Sequence, residues 1–453
     1  MKKLLLLLTL SLGFVSCLQA QDIPKLDSLM NYYVDEYNFN GVALVAQHGK
    51  VIYEQTFGYR DMNTKKQMTE KTIFPIGTLT TQFTAEIILQ YAAEHKLNLD
   101  DKLKKYLPNY PKGDSLTINN LLTNTSGVFD YMMMANFTNK FDTIHIPKDS
   151  LLKLFQKRPL AGEPGKKFRY STANYVLLGY VIEAIANKSY YEVVRERIFK
   201  PVGMTHSGFD FRALRDTNKA APYKYFDDVA PLKQEAYDST LLFAAGAAYS
   251  TAADLYLWDK ALYSGKLLSK EWQQKTFTAH MNKYAMGWVI DTIAGKTAAG
   301  LAAVTQGFSG YYYHIPEDST CVILLQNIKF PAYDDKSEAA SIVSCLEDKD
   351  YKVPQPVPAI TVSADKLHKY EGIYVFGSAT ELTISLSGSV LRGHAKDGVD
   401  YDLIPIGKDL FKTKSLHATL EFVIGPDGTA SKILIHEVLH ERTMTGTRKQ
   451  PKK

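Results

Sequence analysis

The sequence predicts an α+β fold, in which an antiparallel sheet and a helical lobe are followed by a small all-β barrel or sandwich domain. Apolar and polar residues alternate near residues 41–60 and again between residues 285 and 327, on either side of a helical middle. Strands at both ends of a helical region favour one sheet that joins the two ends of the domain. Beyond a proline-rich stretch near residue 350, short alternating segments recur at regular spacing, which is typical of a small barrel or sandwich.

The first residues have the pattern of a secretory signal peptide. Lys2 and Lys3 precede an apolar run of about a dozen residues, which is shorter than the roughly 20 residues of a membrane-spanning helix. We predict cleavage after Ala20, so residues 1–20 are excluded from the fold and the protein is expected to be exported to the periplasm. Lipid attachment at Cys17 is a less favoured alternative, because Phe14 stands at a critical upstream position.

The elements of residues 21–350 begin with a β-hairpin. The segment that starts at Gly41 alternates through "VALVAQHGKVIYEQTFGY", and Gly49 marks its turn. A helix is expected from Thr78 to His95, because apolar residues recur there at helical spacing among good helix formers. Further helices are predicted at residues 117–123, 173–186 and 251–264, and short strands near residues 285–291, 311–315 and 320–327.

A change of composition predicts a domain boundary. The segment "YKVPQPVPAI" contains Pro354, Pro356 and Pro358, which favours a semi-rigid extended linker over residues 351–362. The short alternating strands that follow make residues 363–453 a separate small β domain.

Charge and composition exclude several classes of function. The net charge is +5, and loss of Lys2 and Lys3 with the leader lowers it to +3, without basic runs. This distribution predicts no nucleic-acid partner and no polybasic membrane segment. The sequence has no phosphate loop, dinucleotide fingerprint or paired-cysteine motif, so no cofactor is expected. Cys321 and Cys345 are interpreted as two buried thiols in preference to a disulfide.

No metal site is predicted. His436 and His440 are four residues apart, but they lie in a strand-like region, where helical ligand spacing does not apply. We interpret them as part of a solvated face.

Blocks spread over roughly residues 40–330 resemble the penicillin-recognising serine hydrolases, which include class C β-lactamases and D-Ala-D-Ala carboxypeptidases. They occur in the order and spacing of that family, and they include "KTIFPIGTLTTQFTA", "LTINNLLTNTSGVFDY", "PGKKFRYSTANYVLLGYVIE", "YAMGW" and "QGFSGYYYHIPEDSTCVILLQN". The resemblance implies a β-lactamase/transpeptidase-like domain, and the tail beyond Pro358 is similar to the small β-barrel that is often appended to family members.

The first motif implied by the resemblance is Ser-x-x-Lys, in which the Ser attacks a carbonyl and the Lys accepts its proton. Here the motif is Thr78-Leu79-Thr80-Thr81. A spacing of three places Thr78 and Thr81 on one helix face. Thr78 retains a hydroxyl with a crowding methyl group, and Thr81 has no charge and cannot act as a base. The alternative interpretation is structural, with Thr78 as a helix N-cap after Gly77.

The second and third motifs are also altered. The family's Tyr-x-Asn is Tyr170-Ser171-Thr172, and its Lys/His-x-Gly is matched best by Thr305-Gln306-Gly307. Tyr170 is therefore a candidate proton shuttle or a part-buried aromatic residue. Thr172, Thr305 and Gly307 are candidate ligand-binding positions, with Gly307 allowing close approach of a ligand backbone.

Two further polar positions add no catalytic group: Asn124 indicates drift of the site, and Ser126 matches a structural Ser of the family. Asn124 stands where the family usually has His, and Ser126 has no Lys or His neighbour in sequence that would make it a nucleophile.

The altered motifs predict a non-hydrolytic pseudoenzyme that binds peptide-like or peptidoglycan-like ligands in the old cleft, with any protein partner left unspecified. One alternative is an active hydrolase of esterase, peptidase or β-lactamase type, with Thr78 as nucleophile and Tyr170 or a bound water as base. Another is a barrel that carries the function, with the large domain as a scaffold for protein contacts.

Overall fold

The structure is a computed structural model that describes residues 23–134, 143–226, 231–328, 335–348, 350–377, 380–395, 400–413, 418–437 and 442–449. The predicted leader, with Cys17, lies outside these residues, as does His440.

The helices of the first domain frame its sheet. They are α1 (23–37), α2 (Thr80–Ala93), α3 (Ile118–Leu122), α4 (Lys148–Lys153), α5 (Thr172–Ala186), α6 (Tyr190–Val194), α7 (Lys200–Val202), α8 (Ser239–Leu242), α9 (Ala252–Tyr263), α10 (Lys270–Thr276) and α11 (Asp335–Glu347). A single 3₁₀ turn, Gly77–Leu79, leads into α2, so this helix begins two residues later than the sequence indicates.

The strands of the first domain form one large sheet and several short pairs. They are β1 (Gly41–Gln47), β2 (Lys50–Phe57), β3 (Tyr59–Asp61), β4 (Lys66–Gln67), β5 (Phe74–Pro75), β6 (Gly208–Phe209), β7 (Tyr223–Phe226), β8 (Pro231–Lys233), β9 (Ala248–Ser250), β10 (Val289–Ile293), β11 (Lys296–Thr305), β12 (Phe308–Ile315) and β13 (Thr320–Gln326).

The large sheet joins the two ends of the domain. Its order is β10-β11-β12-β13-β1-β2, and every neighbouring pair is antiparallel. Alternate residues of each central strand enter different cores: Val42 and Leu44 of β1 face the helical lobe, whereas Ala43 and Val45 pack with α1 and α11. The period-two alternation of the sequence therefore produces a sheet that is covered on both faces.

The C-terminal region is a closed antiparallel barrel. A short helix, α12 (Ala364–Leu367), precedes its strands, which are β14 (Gly372–Phe376), β15 (Thr380–Ser387), β16 (Val390–Ala395), β17 (Asp400–Gly407), β18 (Leu410–Thr413), β19 (Ala418–Ile424), β20 (Ala430–Glu437) and β21 (Arg442–Arg448). Its interior is filled by apolar side chains such as Tyr374, Leu391 and Phe422, as small eight-stranded barrels require. The predicted α+β class and the appended barrel are confirmed.

The segment between the domains, residues 351–363, has neither helix nor strand. The domain limits proposed from the sequence remain a prediction. Among the described residues, no helix combines the length and apolarity needed to cross a membrane.

Candidate active site

A cavity of about 400 Å³ lies where the start of α2 faces β11. Three residues singled out from the sequence, Thr78, Thr81 and Tyr170, contribute to its wall. The other lining residues are Phe168, Asn282, Lys283, Tyr284, Val289, Asp291, Leu301 and Ala302. The spacing of three in the first motif thus brings both threonines to the same cavity.

Thr78 does not act as the helix cap that was the structural interpretation of this position. Neither the 3₁₀ turn nor α2 has a side-chain cap, and the Thr78 hydroxyl donates instead to the main-chain oxygen of Ala302, at 2.8 Å. A peptide oxygen is a hydrogen-bond acceptor that does not take up a proton near neutral pH. The hydroxyl at the nucleophile position is therefore engaged with the strand, and this contact supplies no base.

Thr81 has neutral partners. Its hydroxyl donates to the main-chain oxygen of Thr78 at 2.8 Å, and the oxygen of Gly287 lies 3.4 Å away. The Tyr284 phenol also lies within hydrogen-bonding reach of Thr81. These contacts satisfy the hydroxyl but place no charge beside Thr78.

Tyr170 sits in an aromatic and desolvated environment. Its ring meets that of Tyr284 edge to face, with centroids 6.3 Å apart. Burial raises the pKa of the Tyr170 phenol above its ordinary value, and the neighbouring Tyr284 and Asp130 raise it further. A phenolate at Tyr170 is consequently even rarer near neutral pH than in a free tyrosine, because desolvation disfavours the charged form.

The three candidate ligand-binding positions are not among the residues that line this cavity. Thr172 starts α5, and its hydroxyl and N–H bond to the carboxylate of Asp130. Thr305 ends β11 and borders a different, smaller cavity that also contains Phe211 and Ala247.

Gly307 lies in the turn from β11 to β12 with φ of +73°, and a Cβ there would come within 2.4 Å of Pro222. Turn geometry and close packing explain this glycine, whereas ligand contact at Gly307 does not follow from the structure.

Leu301 and Ala302 occupy the strand positions beside Thr78. They were not recognised from the sequence, because neither has a side chain that indicates chemistry. The sequence also shows no sign that the cavity contains Lys283, Tyr284 and Asp291. Tyr284 is the first residue of the family-like segment "YAMGW". Their position in the cavity follows from how the turn before β10 folds back towards α2.

The polar residues near the start of α5 have structural partners. Asn124 accepts hydrogen bonds from the N–H of Ser171 and from the amide of Asn174, at 3.1 and 2.7 Å. The Ser126 hydroxyl donates to Asn174 at 2.6 Å and accepts from the N–H of Val128. This network anchors the loop after α3 to α5.

Within the described ranges, no group of three or more His, Cys, Asp or Glu side chains is arranged to hold a metal ion. His436 is exposed and contacts Thr443 and Glu421. The thiols of Cys321 and Cys345 are both buried, and no disulfide joins them.

Comparison with known proteins agrees with this architecture. The chain is 30% identical over 312 residues to the putative penicillin-binding protein PbpX of Bacillus subtilis, covering 69% of this chain and 76% of that protein. It is 25% identical to penicillin-binding protein 4* of the same organism, over 92% of this chain and 98% of that one.

Among solved structures, the octameric penicillin-binding protein homologue of Pyrococcus abyssi superposes with a TM-score of 0.64 at 24% identity, covering 94% of this chain and 99% of that one. It shows that the fold extends through both domains. The family model described as "Beta-lactamase" matches residues 26–345, which is most of the chain. With its sheet, helical lobe and Thr78 cavity, the protein belongs to the beta-lactamase family.

Proposed function

We propose that this protein is an exported, non-hydrolytic member of its family that binds peptide-like or peptidoglycan-like ligands in the Thr78 cavity. The observation that carries the proposal is the hydrogen bonding of the first motif. The Thr78 hydroxyl bonds to the Ala302 oxygen, and the contacts of Thr81 are neutral.

Hydroxyl nucleophiles require a neighbouring base, because the attacking oxygen must lose its proton. Tyr170 is a poor substitute, since its surroundings raise the pKa of the phenol. Residues of a catalytic unit act together, so the loss of one essential member removes most of the rate, on the order of a millionfold in the best-studied serine hydrolase. A protein that has lost the Ser, the Lys and the Asn of these motifs is expected to retain binding at most.

Peptide-like ligands are favoured by the main chain of β11. β10 pairs with β11 only from Lys296 to Gly300, and within the described residues no strand covers the stretch Leu301–Thr305 on that side. An extended ligand can add through main-chain hydrogen bonds to a strand edge that no other strand covers, and here it would compete with Thr78 for the Ala302 oxygen. The similarity to penicillin-binding proteins supports the same ligand class, and the N-terminal leader pattern supports export.

The test is exposure of the wild-type protein to a fluorescent penicillin and, separately, to a neutral activated ester, followed by intact-mass measurement. We expect no lasting adduct with either reagent, and the Thr78→Ala variant provides the matched control. A stoichiometric adduct that maps to Thr78 and disappears in this control would establish the threonine-hydrolase alternative and overturn the proposal.

A further inference from the structure

The cavity wall contains one buried and one exposed charge. The side chain of Asp291 is 4% exposed and that of Lys283 is 64% exposed, and Lys283 Nζ lies 2.9 Å from Asp291 Oδ1. The N–H of Thr292 also donates to this carboxylate, at 2.8 Å. The carboxylate is thus fixed in the wall of the site, whereas the ammonium group that neutralises it reaches in from solvent.

The turn that presents Lys283 has an unusual backbone. Asn282 has φ of 55° and ψ of 40°, and Lys283 has φ of 61°, so two consecutive residues other than glycine are left-handed. Asparagine tolerates this conformation, but lysine is seldom found in it. Local strain of this kind concentrates at ligand sites and switch regions. The ion pair with Asp291 holds the Lys283 side chain of this turn against the cavity wall.

We propose that Asp291 binds the primary ammonium group of the ligand and that Lys283 is the internal cation that this group displaces. This inference rests on the proposed function and specifies its ligand class as small α-amino acyl compounds, such as amino acid amides or esters with a free amino group. Exchange of one ammonium group for another keeps the buried carboxylate paired throughout.

Ligands whose anionic group would have to pair with Lys283 are disfavoured by the same arrangement. A carboxylate that recruited Lys283 would draw it away from Asp291, and separation of a buried carboxylate from a cation beside it is destabilising. Among the lining residues, Lys283 is the cation available for such a group. The preference for a ligand ammonium group over a ligand carboxylate therefore follows from the Asp291–Lys283 pair in the cavity wall.

The test compares alaninamide, N-acetylalaninamide and N-acetylalanine in nuclear magnetic resonance titrations of the full chain at pH 7, with both enantiomers of each. Alaninamide should bind at least tenfold more tightly than the two acetylated compounds, because charge-assisted hydrogen bonds are the stronger class. Asp291→Asn should remove this preference. Lys283→Gln should tighten alaninamide binding several-fold, because the competing cation is gone.

Lys275→Gln, at an exposed pair with Glu271 on α10, is the matched control and should change nothing. Asp291→Asn could fail to fold, so the proposal also requires that Lys283→Gln bind alaninamide more tightly than the wild-type protein. Equal affinities, no binding, or tighter binding of N-acetylalanine would overturn the ammonium site. Intact mass on the same samples separates the two proposals, since an adduct at Thr78 would refute the non-hydrolytic assignment and leave the ammonium preference standing.

Discussion

At the scale of single residues, Thr81 marks the position where a base would have to stand. The double substitution Thr78→Ser with Thr81→Lys is expected to give measurable acylation by a penicillin or an activated ester. A Lys at position 81 would supply both a proton acceptor and a positive charge beside the nucleophile. Intact-mass measurement over time reports the adduct.

Thr78→Ser alone should gain little, because it restores the nucleophile without the base. Deacylation is expected to remain slow even in the double variant, since Thr172 bonds to Asp130 and the strand beside the site presents Leu301 and Ala302. Equal acylation by the single and double variants would show that the missing Lys is not what limits the reaction.

Glu86 of α2 provides a second prediction. It is buried, its Oε1 accepts from Gln90, and its Oε2 has no hydrogen-bond partner. Burial raises its pKa from 4.5 to about 7. The folded protein therefore holds the proton more tightly than the unfolded chain, and stability falls as the pH rises from about 4.5 to about 7. Glu86→Gln should raise the free energy of unfolding by about 3 kcal/mol at pH 8 and change it little at pH 4.5.

Glu94, two turns further along the same helix axis, serves as the control of opposite sign. Hydrogen bonds and charge from Arg197 lower its pKa to about 2, so its contribution is present at neutral pH and is lost as the pH falls towards 2. Glu94→Gln should destabilise the protein at pH 7, with a deficit that shrinks in acid. Urea unfolding at a series of pH values measures the free energy of unfolding of both variants. If the two variants changed with pH in the same direction, the opposite pKa shifts of Glu86 and Glu94 would be refuted.

The sequence predicts some of the residues that line the Thr78 cavity and not others, and the difference has a physical reason. Thr78 and Thr81 could be placed together because helical spacing relates them locally. The third motif has lost its charged residue, so its assignment to Thr305 and Gly307 stays a prediction. Leu301 and Ala302, which line the cavity, have no side chain that the sequence could single out. Lys283 and Asp291 reach the cavity only through the tertiary fold.

At the scale of elements, β11 is the strand that the sequence did not reveal. Its sequence, "KTAAGLAAVT", is rich in alanine and glycine, which have low strand propensity. It is a strand because β10 and β12 pair with it on either side. α2 shows the converse effect, since Gln82, Glu86 and Gln90 would be a solvated face at helical spacing, yet all three are buried.

The close packing of α5 against the turn Phe243–Ala245 is the basis of a third prediction. A Cβ at Gly179 would lie 2.4 Å from Ala244 Cβ, in the 3₁₀ turn Phe243–Ala245. That turn is also held by Thr84, whose hydroxyl donates to the Ala244 oxygen. Gly179→Ala should therefore destabilise the protein by about 1–3 kcal/mol, although alanine is the better helix former.

The matched control is Ala184→Leu, which enlarges an exposed residue of α5 and should change the free energy of unfolding by less than about 0.5 kcal/mol. Denaturant titration distinguishes the two variants. If Gly179→Ala left the free energy of unfolding unchanged or raised it, the turn Phe243–Ala245 would have to move away from α5 at little cost.

At the scale of the whole molecule, the barrel is attached to the sheet domain by specific polar contacts. Lys412 of β18 donates to both carboxylate oxygens of Glu36 in α1, at 2.7 Å, and to the oxygen of Val357 in the linker, at 2.8 Å. The Ile360 N–H donates to the oxygen of Pro405. The linker therefore lies along the barrel, and one ion pair connects α1 with β18.

This ion pair is the basis of the last prediction. The side chains of Lys412 and Glu36 are only 13% and 14% exposed, so removal of one partner leaves a largely buried charge without its counter-ion. Lys412→Gln should weaken the docking of the barrel by on the order of 3 kcal/mol. Limited proteolysis should then cleave residues 351–362 faster and release a stable β-rich fragment.

The double variant Lys412→Met with Glu36→Leu discriminates a docking contact from a simple loss of charge. Replacement of a buried ion pair by apolar residues of similar size is commonly neutral or stabilising, because neither group then has to be desolvated. Cleavage of the linker should accordingly return to the wild-type rate in the double variant, while Lys412→Gln remains sensitive. If Lys412→Gln is cleaved no faster than wild type, the ion pair does not hold the barrel, and the docking must depend on the linker and the apolar contacts around it.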